Sequence, residues 1–372
     1  MRLEDYDYQL PCDRIARHPT QRRDESRLLV VERSSGRLCH GLFRDIGEFL
    51  RPGDLLVLND SRVIAARLYA RRHPGGGRVE VFLVNEVELL VWRAMVRPGK
   101  KIKKGEQLIV EHKGCATTDS VRAGRDQAAL TSSFTALVVG YAGRGERIVR
   151  FDLSGCEWRE FLEQCGHTPL PPYILKARKM ASEPPCDTDD DRERYQTVYA
   201  ATPGSVAAPT AGLHFTKELL AELGAKGIEF ARVTLHVGPG TFQPLLSDHL
   251  AAGQLHEEFY SVDAATAEQV NRARRDGRRI IPVGTTSVRV LESACDSRGR
   301  LDAQSGTTRL LIAPGFQFRL ADVLITNFHL PRSSLLLLVC AFAGRETILR
   351  AYEEAIAQGY RFYSYGDAMM IL

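Results

Sequence analysis

At 372 residues, 44% hydrophobic and 26% charged, the chain is long enough for two domains and has an ordinary globular composition. A net charge of +4 and a pI near 8.6 permit an anionic partner such as RNA without demanding one. MRLEDYDYQL lacks the basic start and apolar run of a signal peptide. The longest apolar stretch, Leu335 to Ala343, is far short of the ~20 residues of a membrane span, so a cytoplasmic protein with no membrane partner is expected. The eight cysteines form no CxxC pair, and Cys156, Cys165, His167 and Cys186 fit no zinc template; reduced thiols and no metal are expected.

SRLLVVER (26–33) and DLLVLND (54–60) read as strands, with FRDIGEFL a short helix between them. From 67 to 151 the runs RVEVFLV, ELLVWRAMV, EQLIVEH, SFTALVVG and ERIVRFDL are short and β-rich, separated by Gly turns, which predicts a small antiparallel barrel or sandwich. WREFLEQCG reads as a helix ending at Gly166, TPLPPYI as an extended connector, and the charged stretch from Lys176 to Arg194 as an exposed loop. Helices and strands then alternate. TKELLAELGAKG is a helix capped by Thr216, and DAATAEQVNRARRDG one capped by Asp263. IEFARVTLHVG, RIIPVG, TRLLIA and DVLITNF are strands, and TSVRVLES, SSLLLLVCAFAG and ETILRAYEEAIAQG helices. The expected fold is α/β: a large mixed or mostly parallel sheet with helices on both faces over 1–66 and 152–372, carrying an inserted antiparallel β-barrel domain at 67–151. Sites in such sheets lie beyond the carboxyl ends of the strands, where His236, Gly284 and His329 fall.

Four Gly- or Pro-rich runs in the C-terminal half suggest one composite pocket: GSVAAPTAGLHFT (204–216), HVGPGTF (236–242), VGTTSVR (283–289) and TNFHLP (326–331). His214, His236, His256 and His329 are candidates for proton transfer, as is Glu258 of LHEEFY. Each histidine alone reads more simply as a structural side chain bonded to a carbonyl. Thr210, Gly212, Gly238, Gly240, Thr241, Gly284, Thr285, Thr286 and Asn327 are turn positions suited to ligand contact, against a plain reading as tight turns. Asp60 and Arg62 could hold a ligand or form a strand-end salt bridge. Arg97, Lys100, Lys101, Lys103 and Lys104 lie on a predicted hairpin, and Arg272, Arg274, Arg275, Arg278 and Arg279 crowd one helix-to-strand turn. Either cluster could contact phosphates or be a solvated face.

Together with DYDYQLP, RRDESRLLVV, GDLLVLNDSRVIAARL, RPGKKIKKG, RYQTVYA and YRFYSYGDAMMI, these runs resemble the S-adenosylmethionine:tRNA ribosyltransferase-isomerase family of queuosine biosynthesis over nearly the whole chain. Pro239 in HVGPGTF and the wording of LHEEFY depart from the family pattern without removing an essential polar side chain. The resemblance implies a large α/β domain with a small β-barrel insertion. S-adenosylmethionine would be a consumed co-substrate, with no metal or redox cofactor. Its ribosyl part would pass to the aminomethyl-deazaguanine wobble base of a tRNA and rearrange to epoxyqueuosine, releasing adenine and methionine. That chemistry needs an acid/base group, which His or Glu258 could supply. A sulfonium cradle could come from Phe215, Phe242 or Tyr260, and anchors from Arg289, Arg332 or the turn amides. A monomer is expected. The rival readings are a non-catalytic RNA-binding protein and an S-adenosylmethionine-dependent RNA methyltransferase. Against the latter, no glycine-rich loop follows an early strand.

Overall fold

The computed structural model describes residues 2–113, 134–143, 145–153, 156–242, 245 and 247–372. They form two compact units, Met1–Arg62 with Leu170–Leu372, and Val63–Pro169. The chain opens with β1 (Arg27–Val31), β2 (Leu38–Leu42), β3 (Leu55–Asn59) and β4 (Ser61–Val63). Next come β5 (Arg67–His73), β6 (Arg78–Glu88), β7 (Val91–Arg97), β8 (Gln107–Val110), β9 (Thr135–Gly143), β10 (Glu146–Asp152) and α1 (Trp158–Cys165). The remainder comprises α2 (Pro172–Met180), α3 (Asp189–Arg194), β11 (Thr202–Ser205), α4 (Lys217–Ala225), β12 (Glu229–Leu235), α5 (Ser247–Ala252), β13 (Gln254–Val262), α6 (Ala264–Arg275) and β14 (Ile280–Val283). It closes with α7 (Thr285–Ala294), β15 (Gln304–Leu310), β16 (Leu324–Asn327), α8 (Ser334–Ala343), α9 (Arg345–Ala357) and β17 (Ala368–Ile371).

The larger unit is built on a nine-stranded mixed sheet of order β15-β13-β12-β3-β14-β16-β17-β1-β2. The central strands β12, β3, β14 and β16 run parallel, as do β17 and β1, while the outer pairs and β16–β17 are antiparallel. Strands β3, β14, β16 and β17 are buried at every position, as continuous apolar runs must be when both faces are covered. Thr216 accepts the Leu219 N–H at 3.0 Å and Asp263 the Thr266 N–H at 2.7 Å, so both predicted caps open their helices. FRDIGEFL forms a 3₁₀ turn, Phe43–Glu48.

The smaller unit is a closed antiparallel barrel of order β10-β7-β6-β5-β8-β9. Alternate residues fill it, among them Leu68, Val81, Ala94 and Val149. Helix α1 belongs to this unit: Trp158 stacks on Trp92 at 5.1 Å, and Phe161 meets Phe134 and Phe151. The unit therefore reaches past the last barrel strand.

The stretch from Lys176 to Arg194, expected as an exposed loop, instead contains the end of α2 and all of α3. One of its charge pairs faces inward. Arg178 and Asp191 are each 1% exposed and joined by two hydrogen bonds of 2.7 and 2.8 Å. Asp191 also accepts the Thr188 N–H and the Tyr365 hydroxyl, and Thr188 caps α3 in a capping box. Burial alone would raise the Asp191 pKa, but the Arg178 and Tyr365 hydrogen bonds outweigh it and hold the carboxyl below its usual range. Of the arginine cluster at the end of α6, Arg278 pairs with Glu229 and Arg279 with Asp54, tying the turn to the strands, while Arg275 makes an exposed pair with Glu268.

Candidate active site

Because β12, β14 and β16 are parallel, the turns after Leu235, Val283 and Asn327 emerge at the same edge of the sheet. A cleft open to solvent lies there and is lined by all four runs. Residues 207–211 come from the first, Val237 and Thr241 from the second, Gly284, Thr285, Thr286 and Arg289 from the third, and residues 326–330 from the fourth. Two glycines are required by geometry. Gly284 turns from β14 into α7 at φ +89°, donating its N–H to the Ile325 carbonyl at 2.7 Å. A Cβ on Gly212 would sit 2.0 Å from the Tyr199 hydroxyl.

Three polar atoms of cleft residues are buried without a partner: Asn327 Oδ1, Thr286 Oγ1 and Arg289 Nη2. Leaving such a group unpaired costs about 1–3 kcal/mol, so three in one cleft argue for a ligand that pairs with them. Arg289 is otherwise fixed. Its Nε donates to the Leu310 carbonyl at 3.1 Å and its Nη1 to buried Glu258. Glu258 in turn accepts the Gly238 N–H at 3.0 Å and the Thr241 hydroxyl at 3.5 Å, tying the second run to the third.

The four histidines separate. The buried His214 ring lies behind Asn327, whose Nδ2 donates to His214 Nε2 at 3.0 Å and to the Tyr363 carbonyl at 3.2 Å. Ser26 spends its hydroxyl proton on the Arg23 carbonyl, so its Oγ accepts from His214 Nδ1 at 2.7 Å. Both ring nitrogens are occupied, and the tautomer is fixed. His329 lines the cleft, its Nε2 against the Thr326 hydroxyl at 2.9 Å; its N–H donates to the Tyr352 hydroxyl and its carbonyl accepts that of Tyr8. His236 pairs with Ser61 at 2.8 Å and stacks on Phe259. Exposed His256 meets His249 edge-on, and neither His236 nor His256 lines the cleft.

Burial pushes His214 down to about 3, with Arg361 and Arg23 adding to the effect, and burial alone does the same to His329. Both rings are therefore neutral in the fold and take up protons only on unfolding, once the pH drops below about 6.5. Stability present above that pH is lost as pH falls toward 3, at up to about 1.4 kcal/mol per pH unit for each ring. Urea unfolding should show the midpoint falling between pH 6.5 and 5, before ordinary carboxylates titrate. A flat midpoint across that window would contradict the assignment.

The other predicted residues scatter more widely. Thr210, Thr241, Gly284, Thr285, Thr286, Arg289 and Asn327 line the cleft; Gly212, Gly238 and Glu258 do not line it but pack or bond against residues near it, and Gly240 lies against His256. Asp60 accepts the Thr234 hydroxyl, and exposed Arg62 donates to the Ala200 carbonyl, so the two do not pair with each other. Phe215 is in the core against Phe43, and Tyr260 packs in a second core cluster. Arg332 pairs with Asp7 away from the cleft. Phe242 closes the 3₁₀ turn Pro239–Phe242, and its side chain lies outside the described part. Arg97, Lys100, Lys101, Lys103 and Lys104 are exposed on the barrel unit between β7 and β8. Sequence reasoning missed Ser26, Tyr173, Tyr363 and Ser364. The last three line the cleft, with the Tyr173 and Tyr363 rings 4.7 Å apart and Tyr173 bonded to Ser364 at 2.6 Å. A signal existed in YRFYSYG: Gly366 there has room for no Cβ, and such a tight turn presents its aromatics in fixed directions.

Among the described residues no group of three or more His, Cys, Asp or Glu side chains could hold a metal ion, and no helix is long and apolar enough to cross a membrane. A mixed α/β sheet with a closed barrel unit, and a cleft with buried polar groups at the carboxyl edge of the sheet, define the architecture of a ligand-binding α/β protein. The chain belongs to the family described as "Queuosine biosynthesis protein", whose profile matches residues 3–371. Similar curated proteins named S-adenosylmethionine:tRNA ribosyltransferase-isomerase include those of Carboxydothermus hydrogenoformans, 47% identical over 372 residues, and Syntrophotalea carbinolica, 48% identical over 374; each match covers 100% of both chains. A crystal structure of S-adenosylmethionine tRNA ribosyltransferase from Thermotoga maritima is 37% identical, with a TM-score of 0.52, covering 99% of this chain and 100% of that one.

Proposed function

We propose that this chain is a transferase-isomerase that moves the ribosyl part of S-adenosylmethionine onto the aminomethyl-deazaguanine wobble base of a tRNA, giving epoxyqueuosine and releasing adenine and methionine. The observation that carries this reading is the meeting of all four runs at one cleft with three unpartnered polar atoms. The family match and the full-length relatives support it. S-adenosylmethionine is consumed as co-substrate, and a tRNA substrate puts the reaction in the cytoplasm.

The substrate carries a sulfonium cation, and the cleft is lined by Tyr173 and Tyr363, aromatic residues whose ring faces attract cations. His329 is the candidate histidine that lines the cleft, and burial keeps its ring neutral there, a hydrogen-bonding partner for the substrate and not a strong base. His214 acts through Asn327. On the barrel unit, the exposed lysines between β7 and β8 are suited to phosphates. Reversing Lys100, Lys101, Lys103 and Lys104 to Glu should weaken tRNA binding and flatten the dependence of log K on log salt by up to about 0.7–0.9 per lost contact. An unchanged slope would place the RNA elsewhere.

The test of the reaction uses S-adenosylmethionine labelled in its methyl group together with tRNA bearing the precursor base. The expected products are adenine and labelled methionine in equal amounts, with no label on the RNA. Label on the RNA would favour a methyltransferase, and tRNA binding without adenine release a binding module.

A further inference from the structure

We propose that Arg289 Nη2, the Thr286 hydroxyl and the first amides of α7 form a carboxylate subsite for the amino-acid end of the sulfonium substrate; this rests on the reading of the cleft just given. Helix α7 has ten residues, and Gly284, Thr285 and Thr286 at its start all line the cleft. The N–H groups of a first helical turn have no acceptor within the helix, and the helix dipole favours an anion there. That alone would not define a site. The second observation is Arg289, four residues after Thr285 and so on the same face of the helix. It is 6% exposed, lines the cleft, and keeps Nη2 unpartnered while Nε and Nη1 are held by Leu310 and Glu258. Thr286 Oγ1 is a second unpartnered buried atom at the same helix end.

The chemistry selects a carboxylate. Arg289 and Glu258 already neutralise one another, so the subsite offers hydrogen-bond donors without net charge beyond the helix end, which suits a monoanion better than a phosphate. Both Glu258 oxygens are engaged, by Arg289 on one side and by Gly238 N–H and Thr241 on the other, so the arginine is oriented before the ligand arrives. The α-carboxylate is the anionic group of S-adenosylmethionine.

The experiment compares S-adenosylmethionine with its decarboxylated analogue as substrate or competitor, in adenine release with saturating precursor tRNA. The wild type should prefer the carboxylate-bearing compound by about 10- to 100-fold, as one charge-assisted contact implies. Arg289→Lys, which keeps a cation for Glu258, and Thr286→Val should each shrink that preference by weakening S-adenosylmethionine more than the analogue. Equal affinity of the wild type for the two compounds would overturn the subsite while leaving the reaction intact. If neither compound engages the enzyme, the subsite and the reading beneath it both fall.

Discussion

His214→Ala and Asn327→Leu should each lower kcat/KM for adenine release by about 100-fold or more, and the double variant should lose little beyond either single one. His214 lies behind the cleft and spends both ring nitrogens on Ser26 and Asn327. The Tyr363 carbonyl can only accept, so the Asn327 amide nitrogen must face it and His214 together, and Oδ1 is the atom left unpartnered for a ligand donor. Removing the ring frees the amide to turn; removing the amide leaves the ring nothing to position. Residues that act as one unit give non-additive losses. An independent proton-transfer role for His214 predicts multiplied losses instead, together with a new limb in the pH profile. Asn327→Asp gives a further contrast, because a carboxylate can donate to neither partner and would favour a protonated His214.

Arg178→Met should destabilise the larger unit by about 3–5 kcal/mol, because it leaves the buried Asp191 carboxylate unpaired. For a unit of this size the thermal midpoint should fall on the order of 10 °C. The same change should loosen α3, whose capping box shares that carboxylate. Adding Asp191→Asn to make the double variant should recover most of the loss, since a missing pair costs less than a stranded charge. A single variant as stable as the wild type would show that the pair is not buried as described.

These two cases mark where sequence reading succeeds and where it stops. The runs DLLVLND, RIIPVG and DVLITNF were legible as covered strands because both their faces are apolar, and Thr216 and Asp263 as caps because capping is local. The turns that form the cleft were legible for the same reason: Gly284 and Gly212 sit where a side chain fits badly. Pairing across long separations was not. Arg178 and Asp191 looked like a solvated charge run, yet they face inward. Phe215 stood beside His214 in the most telling run, but packs on Phe43, and the cleft takes its aromatics from Tyr173 and Tyr363. Whether a histidine faces ligand or core depends on which side of a turn it occupies, and spacing alone does not fix that at positions 214, 236, 256 and 329. The reaction itself was legible only through resemblance, since spacing and composition reached no further than a pocket for a small polar ligand.

The central claim is that the four runs form one binding site for S-adenosylmethionine. Amide hydrogen exchange, measured with saturating tRNA in the presence and absence of S-adenosylmethionine, tests it most directly. Exchange at exposed and cleft-lining amides slows where a ligand orders the backbone. The account predicts added protection at residues 207–211, 237, 241, 284–286 and 326–330 together, all of them at the cleft. Protection confined to the barrel unit, or to one run without the others, would contradict it.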